Sequence, residues 1–389
     1  MTLSTTSELD REEGRVPVPR IVCAAGFVTR FGGGSLSPRV RQALLDAADA
    51  TWRVDDLQRW AGGVIAHLTG AESGWVTSGA AAGLSLATAA CVAGTDTSRM
   101  HALPSSPAPE PELIMLRGHR NAYDHALRVG GARIVDVGYP YSAGTGLTYG
   151  WQLDGAITPA TVAVAYLAKA SAPDLPLRQI CEIAHARGIS VIVDAAAELP
   201  PAGNLRRFVE EGADAVVFSG GKAVRGPQAS GVLAGRKDIV DSVRLQTLDM
   251  DVDRVEWRRT YGAEPPQHGL GRGFKVGKEE IVGLVAALEE FVERDHEAER
   301  DELGTWLEDL AGAVQRHRAA VDRDASFYPR LRIEVGGEDE ARARVAELAA
   351  LDPPILVPHD SLHRGAVVIC PEAVDPRDRD RVRSALAAL

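Results

Sequence analysis

The residues of this chain best suited to chemistry are an aspartate, a lysine and a run of small residues, each next to a short apolar run. Asp194 ends one apolar run, and Lys222 follows another inside a loop of small residues. Upstream, Ser78 to Gly83 connects a strand-like run to a helix-like stretch. An amine can form a Schiff base, a carboxylate can keep a pyridine nitrogen protonated, and a helix N-terminus can bind a phosphate. The three features together predict a pyridoxal 5'-phosphate site.

Each of these features is common by itself, so the prediction depends on their occurring together and in this order. Two other phosphate-binding patterns do not match the sequence. The run from Ser78 to Gly83 lacks the GxGxxG spacing of a dinucleotide-binding turn, and the chain lacks the GK[ST] of a P-loop. A protonated pyridine ring withdraws electrons from the substrate α-carbon, which is the chemistry that Asp194 would support.

Short apolar runs that alternate with alanine- and leucine-rich stretches predict the elements that position these residues. Such near-continuous apolar strands are typical of a parallel sheet that is covered by helices on both faces. The runs predict an α/β large domain and include Gly74–Thr77, Leu113–Leu116, Ala132–Val137, Val162–Leu167, Ile189–Asp194, Ala215–Phe218 and Ser230–Ala234.

The pattern changes near the end of the chain. Two long charged helices are predicted over Glu279–Arg300 and Glu302–Arg318, followed by shorter strand-like and helical stretches. We therefore expect a flexible N-terminal arm at 1–20, a segment at 21–70 that packs on the small domain, a large cofactor-binding domain at 71–277, and a small α+β domain at 278–389. A helix capped by Ser37, with Pro38 in its first turn, is predicted in the second of these segments.

Composition limits the possible classes of function. The 389 residues carry a net charge of −11, which disfavours general binding to nucleic acid, including tRNA. The acidic start does not resemble a signal peptide, and the four widely spaced cysteines indicate neither a zinc site nor a disulfide framework. We expect a cytoplasmic protein without a bound metal.

Several motifs together resemble a known family. The lysine loop Ser219–Gly231 resembles the cofactor-lysine motif of bacterial selenocysteine synthase (L-seryl-tRNA selenium transferase). It is more similar still to that family's shorter, selenium-independent relatives, which include D-glucosaminate-6-phosphate ammonia-lyase. The other motifs that carry the resemblance are Ala25–Gly33, Val76–Leu84, Arg117–His125, Val193–Pro201 and Gly271–Glu280.

The resemblance implies fold type I of the pyridoxal-phosphate enzymes, with a mixed, mostly parallel seven-stranded sheet and active sites at subunit boundaries of a homodimer or larger homo-oligomer. Lys222 would form the Schiff base, and Asp194 would pair with the ring nitrogen. Ala196 would pack under the ring, and His119 is a candidate to stack on its other face. Further candidates for binding the cofactor are Ser78, Gly79, Ala80, Ser219, Gln228 and Arg272; candidates for binding the substrate are Arg30 and Arg364.

The cofactor motif does not determine which bond at the substrate α-carbon breaks. Abstraction of the α-proton followed by β-elimination, as in an ammonia-lyase, is the first expectation, with Lys222 as the base. An amino-acid racemase or epimerase is the second, and an aminotransferase is the third. A cofactor-binding protein without catalysis, acting as a scaffold or regulator, is the alternative outside the enzymes. The substrate would be an amino acid or an amino sugar acid.

Overall fold

The computed structural model describes residues 18–105, 109–142, 145–168, 174–247, 253–262, 268–324 and 326–389. Of the N-terminal arm expected at 1–20, only residues 18–20 lie within the described part. The chain divides into two compact units. The larger is Leu36–His296, and the smaller combines Met1–Ser35 with Glu297–Leu389.

The strands, in chain order, are β1 Val22–Cys23, β2 Ser73–Thr77, β3 Glu112–Leu116, β4 Arg133–Val137, β5 Tyr139–Ser142, β6 Thr145–Leu147, β7 Thr161–Leu167, β8 Ser190–Asp194, β9 Ala215–Ser219, β10 Gly231–Gly235, β11 Arg318–Asp322, β12 Arg330–Glu334, β13 Ile355–Leu356 and β14 Ala366–Ile369.

The α-helices are α1 Pro38–Asp49, α2 Val54–Thr69, α3 Ala80–Ala93, α4 Thr97–Ala102, α5 His125–Val129, α6 Gly150–Ala156, α7 Leu177–His185, α8 Asn204–Glu210, α9 Lys237–Thr247, α10 Arg254–Tyr261, α11 Lys278–Glu293, α12 His296–Ala313, α13 Glu338–Ala349 and α14 Arg379–Ala388.

The larger unit is built on a seven-stranded sheet in the order β2-β10-β9-β8-β7-β3-β4. Strand β10 runs antiparallel to both of its neighbours, and the other adjacent strands are parallel. This confirms the mixed, mostly parallel seven-stranded sheet of the sequence-based prediction. The carboxyl ends of β7, β8 and β9 lie at one edge of the sheet, where open α/β sheets bind ligands.

Alternate strand residues pack into two apolar layers, one on each face of the sheet. Val191 and Val193 of β8 belong to a core that includes residues of α2 and α11. Ile192, between them, belongs to a second core that includes residues of α3 and α9. All three side chains are fully buried. A strand buried on both faces reads as a continuous apolar run, which is why β8 and β9 could be predicted from sequence.

The predicted helix after Ser37 is present as α1. The Ser37 side chain accepts a hydrogen bond from the N–H of Val40, and Pro38 occupies the first turn. The N-cap therefore forms as the sequence predicts. Helix α11 packs on α1 and α2 within the larger unit, and α2 packs on β2. The division between the units therefore lies later than the boundary expected at residue 278, and it groups residues 36–70 with the sheet.

The smaller unit contains the antiparallel sheet β11-β12-β14 and a two-stranded parallel pair, β1 and β13. Its core includes Leu331 and Ile333 of β12 together with residues of α12, α13 and α14. The α+β character predicted for the end of the chain is therefore present. In the part of the chain that the structure describes, no helix is long and apolar enough to cross a membrane.

The predicted limits of the two charged helices are wrong. The first helix ends at Glu293, where the N–H of Arg294 donates to Phe291 and the backbone becomes extended. The second ends at Ala313, and Arg318–Asp322 is the strand β11. The ring of His296 packs on that of Phe291 and hydrogen-bonds its carbonyl, which stabilises the break. The charged, helix-forming residues around Glu293 give no local stop signal there, whereas Gly312 lies one residue before the end of the second helix.

Candidate active site

Asp194 is the last residue of β8, at the carboxyl edge of the sheet. In the register of the sheet it lies between Leu167 of β7 and Val217 of β9. Its carboxylate accepts a hydrogen bond from the N–H of Ala196 at 3.1 Å. The strand and the turn after it therefore hold the carboxylate at this edge. The side chain of Ala196 is small and half-buried at the same place.

Lys222 lies in a tight loop that begins where β9 ends at Ser219. Its carbonyl accepts the N–H of Arg225 at 2.8 Å, and the N–H of Gly226 donates to the carbonyl of Gly220 at 2.8 Å. Arg225 has a φ of 60°, in the left-handed region that non-glycine residues seldom adopt. The loop therefore folds back on itself and keeps Lys222 beside the carboxyl ends of β8 and β9.

Gln228 packs over the residue before Lys222. A Cβ atom on Gly221 would lie 2.5 Å from Oε1 of Gln228 and 2.8 Å from its Cα. Only a glycine permits this approach, so the loop sequence brings Gln228 next to Lys222. Ser219, three residues before Lys222, is half-buried at the end of the strand. The structure thus gathers both predicted polar residues of this loop at the same edge.

The predicted phosphate-binding residues lie at the start of α3. Gly79 precedes the helix with a φ of 132°, a conformation that favours glycine, and the place of its missing Cβ is open space. The first turn of α3 contains no acidic residue, and no side chain caps it. The N–H groups that begin a 14-residue helix therefore remain available to an anion at Ser78, Gly79 and Ala80.

His119 lies in a short 3₁₀ turn directly after β3 and is buried. The N–H of Leu167 donates to its Nδ1 at 3.3 Å, so a neutral ring carries its proton on Nε2. The Tyr166 ring meets the imidazole edge-on, with 4.7 Å between the ring centroids and an angle of 85°. The orientation of the His119 ring is therefore fixed by two consecutive residues of β7.

Arg272 lies in the 3₁₀ segment Leu270–Phe274, which packs on α9 and on α3. It is half-buried. The segment therefore lies in the same unit as the Lys222 loop, and it packs on α3, the helix that begins after Gly79. This placement does not establish a contact between Arg272 and Lys222 or Asp194, so the role of Arg272 in cofactor binding stays a prediction.

The two candidate substrate arginines belong to the smaller unit. Arg30 is exposed in the turn Thr29–Phe31, where its guanidinium lies 5.3 Å from the centre of the Phe31 ring. Arg364 is exposed in the turn Leu362–Arg364 and lies beside His363. The structure places both on turns of that unit, and their part in substrate binding stays a prediction.

Burial dominates the electrostatics at the edge of the sheet. It raises the pKa of Asp194, an effect that the Ala196 N–H and the charge of Lys222 partly oppose. It lowers the pKa of Lys222, and there the charges of Asp194 and Glu198 act in the other direction. The lysine is thereby shifted toward the neutral amine, which is the form that can act as a base or attack an aldehyde.

Burial also lowers the pKa of His119, and the charge of Asp174 partly opposes this change. A neutral imidazole is therefore favoured near pH 7.

Sequence reasoning did not single out Glu198 and Tyr166. Burial raises the pKa of Tyr166, and the charge of Glu198 contributes to that rise. Glu198 stands four residues after Asp194 within a motif that was recognised, so its position in the chain was a usable signal. Tyr166 gave no such signal, because its contact with His119 depends on how β3 and β7 pair.

The residues present fit pyridoxal phosphate. The lowered pKa of Lys222 suits bond formation with an aldehyde, and a carboxylate ends the neighbouring strand. The open place at Gly79 and the uncapped start of α3 can hold a phosphate, and the half-buried residue Ala196, two after Asp194, has a small side chain. Together with the sheet order, this arrangement defines a fold type I pyridoxal-phosphate enzyme.

Comparisons with known proteins agree with this class. Residues 127–302 match the Aminotransferase class-V family model. The chain is 31% identical over 375 residues to D-glucosaminate-6-phosphate ammonia lyase of Salmonella typhimurium, covering 91% of each chain. It is 33% identical over 389 residues to 5'-C-glycyluridine monooxygenase-decarboxylase of a Streptomyces species, covering 95% of this chain and 88% of that protein.

The solved structure of D-glucosaminate-6-phosphate ammonia-lyase superposes with a TM-score of 0.79 at 29% identity, covering 99% of this chain and 98% of that one. The chain belongs to the pyridoxal-phosphate-dependent family that contains this ammonia lyase. The family, fold class and cofactor predicted from the sequence are thereby confirmed.

Proposed function

We propose that this protein is a pyridoxal-phosphate-dependent lyase that removes the α-proton of an amino acid or amino sugar acid and then eliminates a β-substituent. The observation that carries the proposal is the half-buried amine of Lys222, which burial shifts toward its neutral form beside Asp194. The similarity to an ammonia lyase over nearly the whole chain supports the same reaction type.

The bound cofactor supplies an electron-withdrawing ring that stabilises negative charge at the substrate α-carbon. Asp194 is placed to hold the ring nitrogen in its protonated form. The start of α3 at Ser78, Gly79 and Ala80 binds the phosphate. Ala196 and His119 would lie against the two faces of the ring. Ser219, Gln228 and Arg272 complete the cofactor contacts.

Lys222 carries the proton transfers. Its Nζ takes the α-proton, so that the Cα–H bond breaks and an N–H bond forms. For a β-hydroxy substrate, the Cβ–O bond then breaks, and the leaving oxygen takes the proton that Nζ carries and departs as water, which returns Lys222 to the neutral amine. Hydrolysis of the resulting enamine returns one water and releases ammonia and a 2-keto acid, so atoms balance. Arg30 and Arg364 are the candidates to bind the substrate's carboxylate or phosphate.

A panel of D- and L-amino acids and 2-amino sugar acids, with and without phosphate, tests the proposal on the reconstituted protein. Deuterium incorporation at Cα, ammonia release and 2-keto acid formation are measured together. We expect one substrate class to give all three. Inversion at Cα without ammonia would indicate a racemase, and stoichiometric transfer of the amino group to the cofactor would indicate an aminotransferase. No exchange with any compound would favour a non-catalytic cofactor-binding protein.

A second candidate rests on the similarity to the Streptomyces monooxygenase-decarboxylase, which also extends over nearly the whole chain. In this alternative the α-carbon of a glycyl nucleoside loses its carboxyl group in a reaction that consumes oxygen. Oxygen uptake and carbon dioxide release with 5'-C-glycyluridine distinguish this reaction from elimination, which needs no oxygen. The lyase proposal expects neither.

We also propose that the protein is a cytoplasmic homo-oligomer, at least a dimer. Large apolar side chains are exposed on and next to α1 and α2, including Leu45, Trp52 and Trp60. Where exposed apolar side chains form a contiguous patch, they mark contact surfaces between protein chains, so these three residues are the candidates for such a surface. Sedimentation is the test, with Trp60→Glu as the variant expected to weaken assembly. If the unchanged protein sediments as a monomer and still turns over substrate, the proposal of a homo-oligomer is wrong.

A further inference from the structure

The last two residues of β7 and the residue after them contact both His119 and Asp194. The N–H of Leu167 donates to Nδ1 of His119 at 3.3 Å, and the N–H of Ala168 donates to the carbonyl of Asp194 at 2.9 Å. The ring of Tyr166, the residue before them, packs against the His119 ring. Three consecutive residues therefore hold in place the two residues that were predicted to contact the cofactor ring at its face and at its nitrogen.

The hydrogen bond from Leu167 does not by itself fix the plane of the imidazole. At 3.3 Å it is long, and a ring that accepts one hydrogen bond can still turn about the line of that bond. The Tyr166 ring restricts this rotation, because its centroid lies 4.7 Å from that of the imidazole with an angle of 85° between the two planes. Edge-to-face contact favours one relative orientation of two rings. The plane of the His119 ring therefore depends on Tyr166.

The packing of Tyr166 makes its ring a fixed support. The residue lies opposite Val193 of β8 in the register of the sheet, and its half-buried side chain packs on the apolar core that contains Val193. A perpendicular ring covers at most one face of the imidazole, so Tyr166 leaves the other face open to a further ring. Burial lowers the pKa of His119, and a neutral imidazole can lie against a protonated pyridine without charge repulsion.

We propose that Tyr166 is a positioning residue of the cofactor site, which fixes the plane of the His119 ring so that one imidazole face is presented to the pyridine ring of the cofactor. The inference rests on the proposed function, in which His119 lies against that ring. The effect of Tyr166 on the cofactor passes through His119. Substitution of Tyr166 should therefore matter for cofactor binding only while His119 is present.

A double-mutant cycle tests this dependence without any substrate. Tyr166→Leu removes the ring but keeps an apolar side chain, and His119→Ala removes the imidazole. The affinity for pyridoxal phosphate and the visible circular dichroism of the bound cofactor are measured in the unchanged protein, in each variant and in the double variant. We expect Tyr166→Leu to weaken cofactor binding about fivefold when His119 is present and by less than about twofold when it is absent.

Tyr166→Phe is the conservative control. It keeps the ring that makes the contact, so we expect cofactor affinity and circular dichroism equal to those of the unchanged protein. A loss of affinity in Tyr166→Leu that is the same with and without His119 would mean that Tyr166 only supports the fold, and it would overturn the proposal. The proposal would also be wrong if Tyr166→Leu bound the cofactor normally, or if Tyr166→Phe behaved like Tyr166→Leu.

The cofactor-free protein gives a second readout. The chain has ten histidines, and deuterium exchange at the Cε1 atom of each imidazole can be followed by peptide mass spectrometry. In Tyr166→Leu we expect exchange at His119 to become at least about threefold faster, while exchange at His296, which is also buried, stays unchanged. Unchanged exchange at His119 would contradict the support by Tyr166.

The outcomes separate this inference from the proposed reaction. If His119→Ala alone alters neither the affinity nor the circular dichroism of the cofactor, His119 does not contact the ring, and both that contact and the role of Tyr166 are wrong. If the cycle gives the expected result but no compound undergoes elimination, the lyase function is wrong while the role of Tyr166 stands.

Discussion

Two aspartates lie at opposite ends of the same pair of central strands, and their surroundings differ. Asp214 directly precedes β9. Its Oδ2 accepts the N–H of Val191 at 2.7 Å and lies 2.8 Å from Nε2 of His185, and its Oδ1 lies 3.2 Å from Nη1 of Arg236. Asp194 ends β8, and in the described part of the chain its carboxylate accepts one hydrogen bond, from Ala196.

The difference separates a structural aspartate from a candidate catalytic one. The partners of Asp214 offset the free-energy cost of burying its charge. Through its hydrogen bonds to Val191 and His185, this carboxylate links the start of β9 to β8 and α7. The Asp194 carboxylate accepts fewer hydrogen bonds, and burial raises its pKa. A half-buried carboxylate of raised pKa beside a lysine of lowered pKa is a combination typical of functional sites.

The largest effect is expected from Lys222→Ala. Without the amine, neither the bond to the cofactor nor the abstraction of the α-proton has its partner. Cα-deuterium exchange should fall at least about a thousandfold. The matched control is Lys237→Ala, which removes an exposed lysine paired with Asp241 and should leave exchange unchanged. Equal exchange in Lys222→Ala and the unchanged protein would assign the base to another residue.

Replacing each aspartate by asparagine tests the comparison itself. Asp194→Asn keeps the shape but cannot balance a pyridinium charge, so exchange should fall at least about a hundredfold, on the order of 3 kcal/mol of barrier. Its thermal stability should change little, because the carboxylate has few partners to lose.

Asp214→Asn should give the opposite pattern. Loss of the charged acceptor for His185 and Arg236 should lower the free energy of unfolding by about 2 kcal/mol, measured by urea denaturation. Exchange in the folded variant should remain within about threefold of the unchanged protein. A catalytic defect at Asp214 with normal stability would mean that hydrogen-bond satisfaction does not separate the two roles.

A smaller effect is expected from Ala196→Leu. The larger side chain would occupy the space assigned to the ring, and affinity for pyridoxal phosphate should fall about tenfold, or about 1.4 kcal/mol. Ala197→Leu is the matched control, since Ala197 is the exposed neighbour and should bind the cofactor normally. Titration followed by the absorbance of bound cofactor measures both. Equal affinities would place the ring elsewhere.

The smallest effect concerns His119 and pH. Its pKa is lower in the folded protein than the ordinary value near 6.5, so the unfolded chain binds more protons just below that pH. The free energy of unfolding should therefore decrease as pH falls through this range. His119→Gln should flatten part of the decrease in urea denaturation measured from pH 5 to pH 8. An unchanged pH dependence would contradict the buried neutral ring.

The fold and the centre of the site could be predicted because their signals are local in sequence. Continuous apolar runs identified β8 and β9, and the residues that follow each run supplied Asp194 and Lys222. Glycine-rich loops marked the start of α3 and the lysine turn. These signals need no knowledge of distant contacts.

Other features depend on contacts between distant residues. The edge-on packing of Tyr166 on His119 arises from the pairing of β3 with β7. The end of α11 and the start of α12 depend on how Phe291 packs with His296 rather than on a helix-breaking residue. The roles of Arg30 and Arg364 remain predictions. Both residues lie on exposed turns, and local sequence patterns do not determine which turns contact the substrate.

The most direct test of the cofactor site is reduction of the holoprotein with borohydride, followed by peptide mass spectrometry. Reduction fixes pyridoxal phosphate to the amine that binds it, and the chain offers five lysines. The structure predicts that the phosphopyridoxyl group is found on the peptide that contains Lys222. The same group on any other lysine, with Lys222 unmodified, would contradict the assignment of the site to the carboxyl ends of β8 and β9.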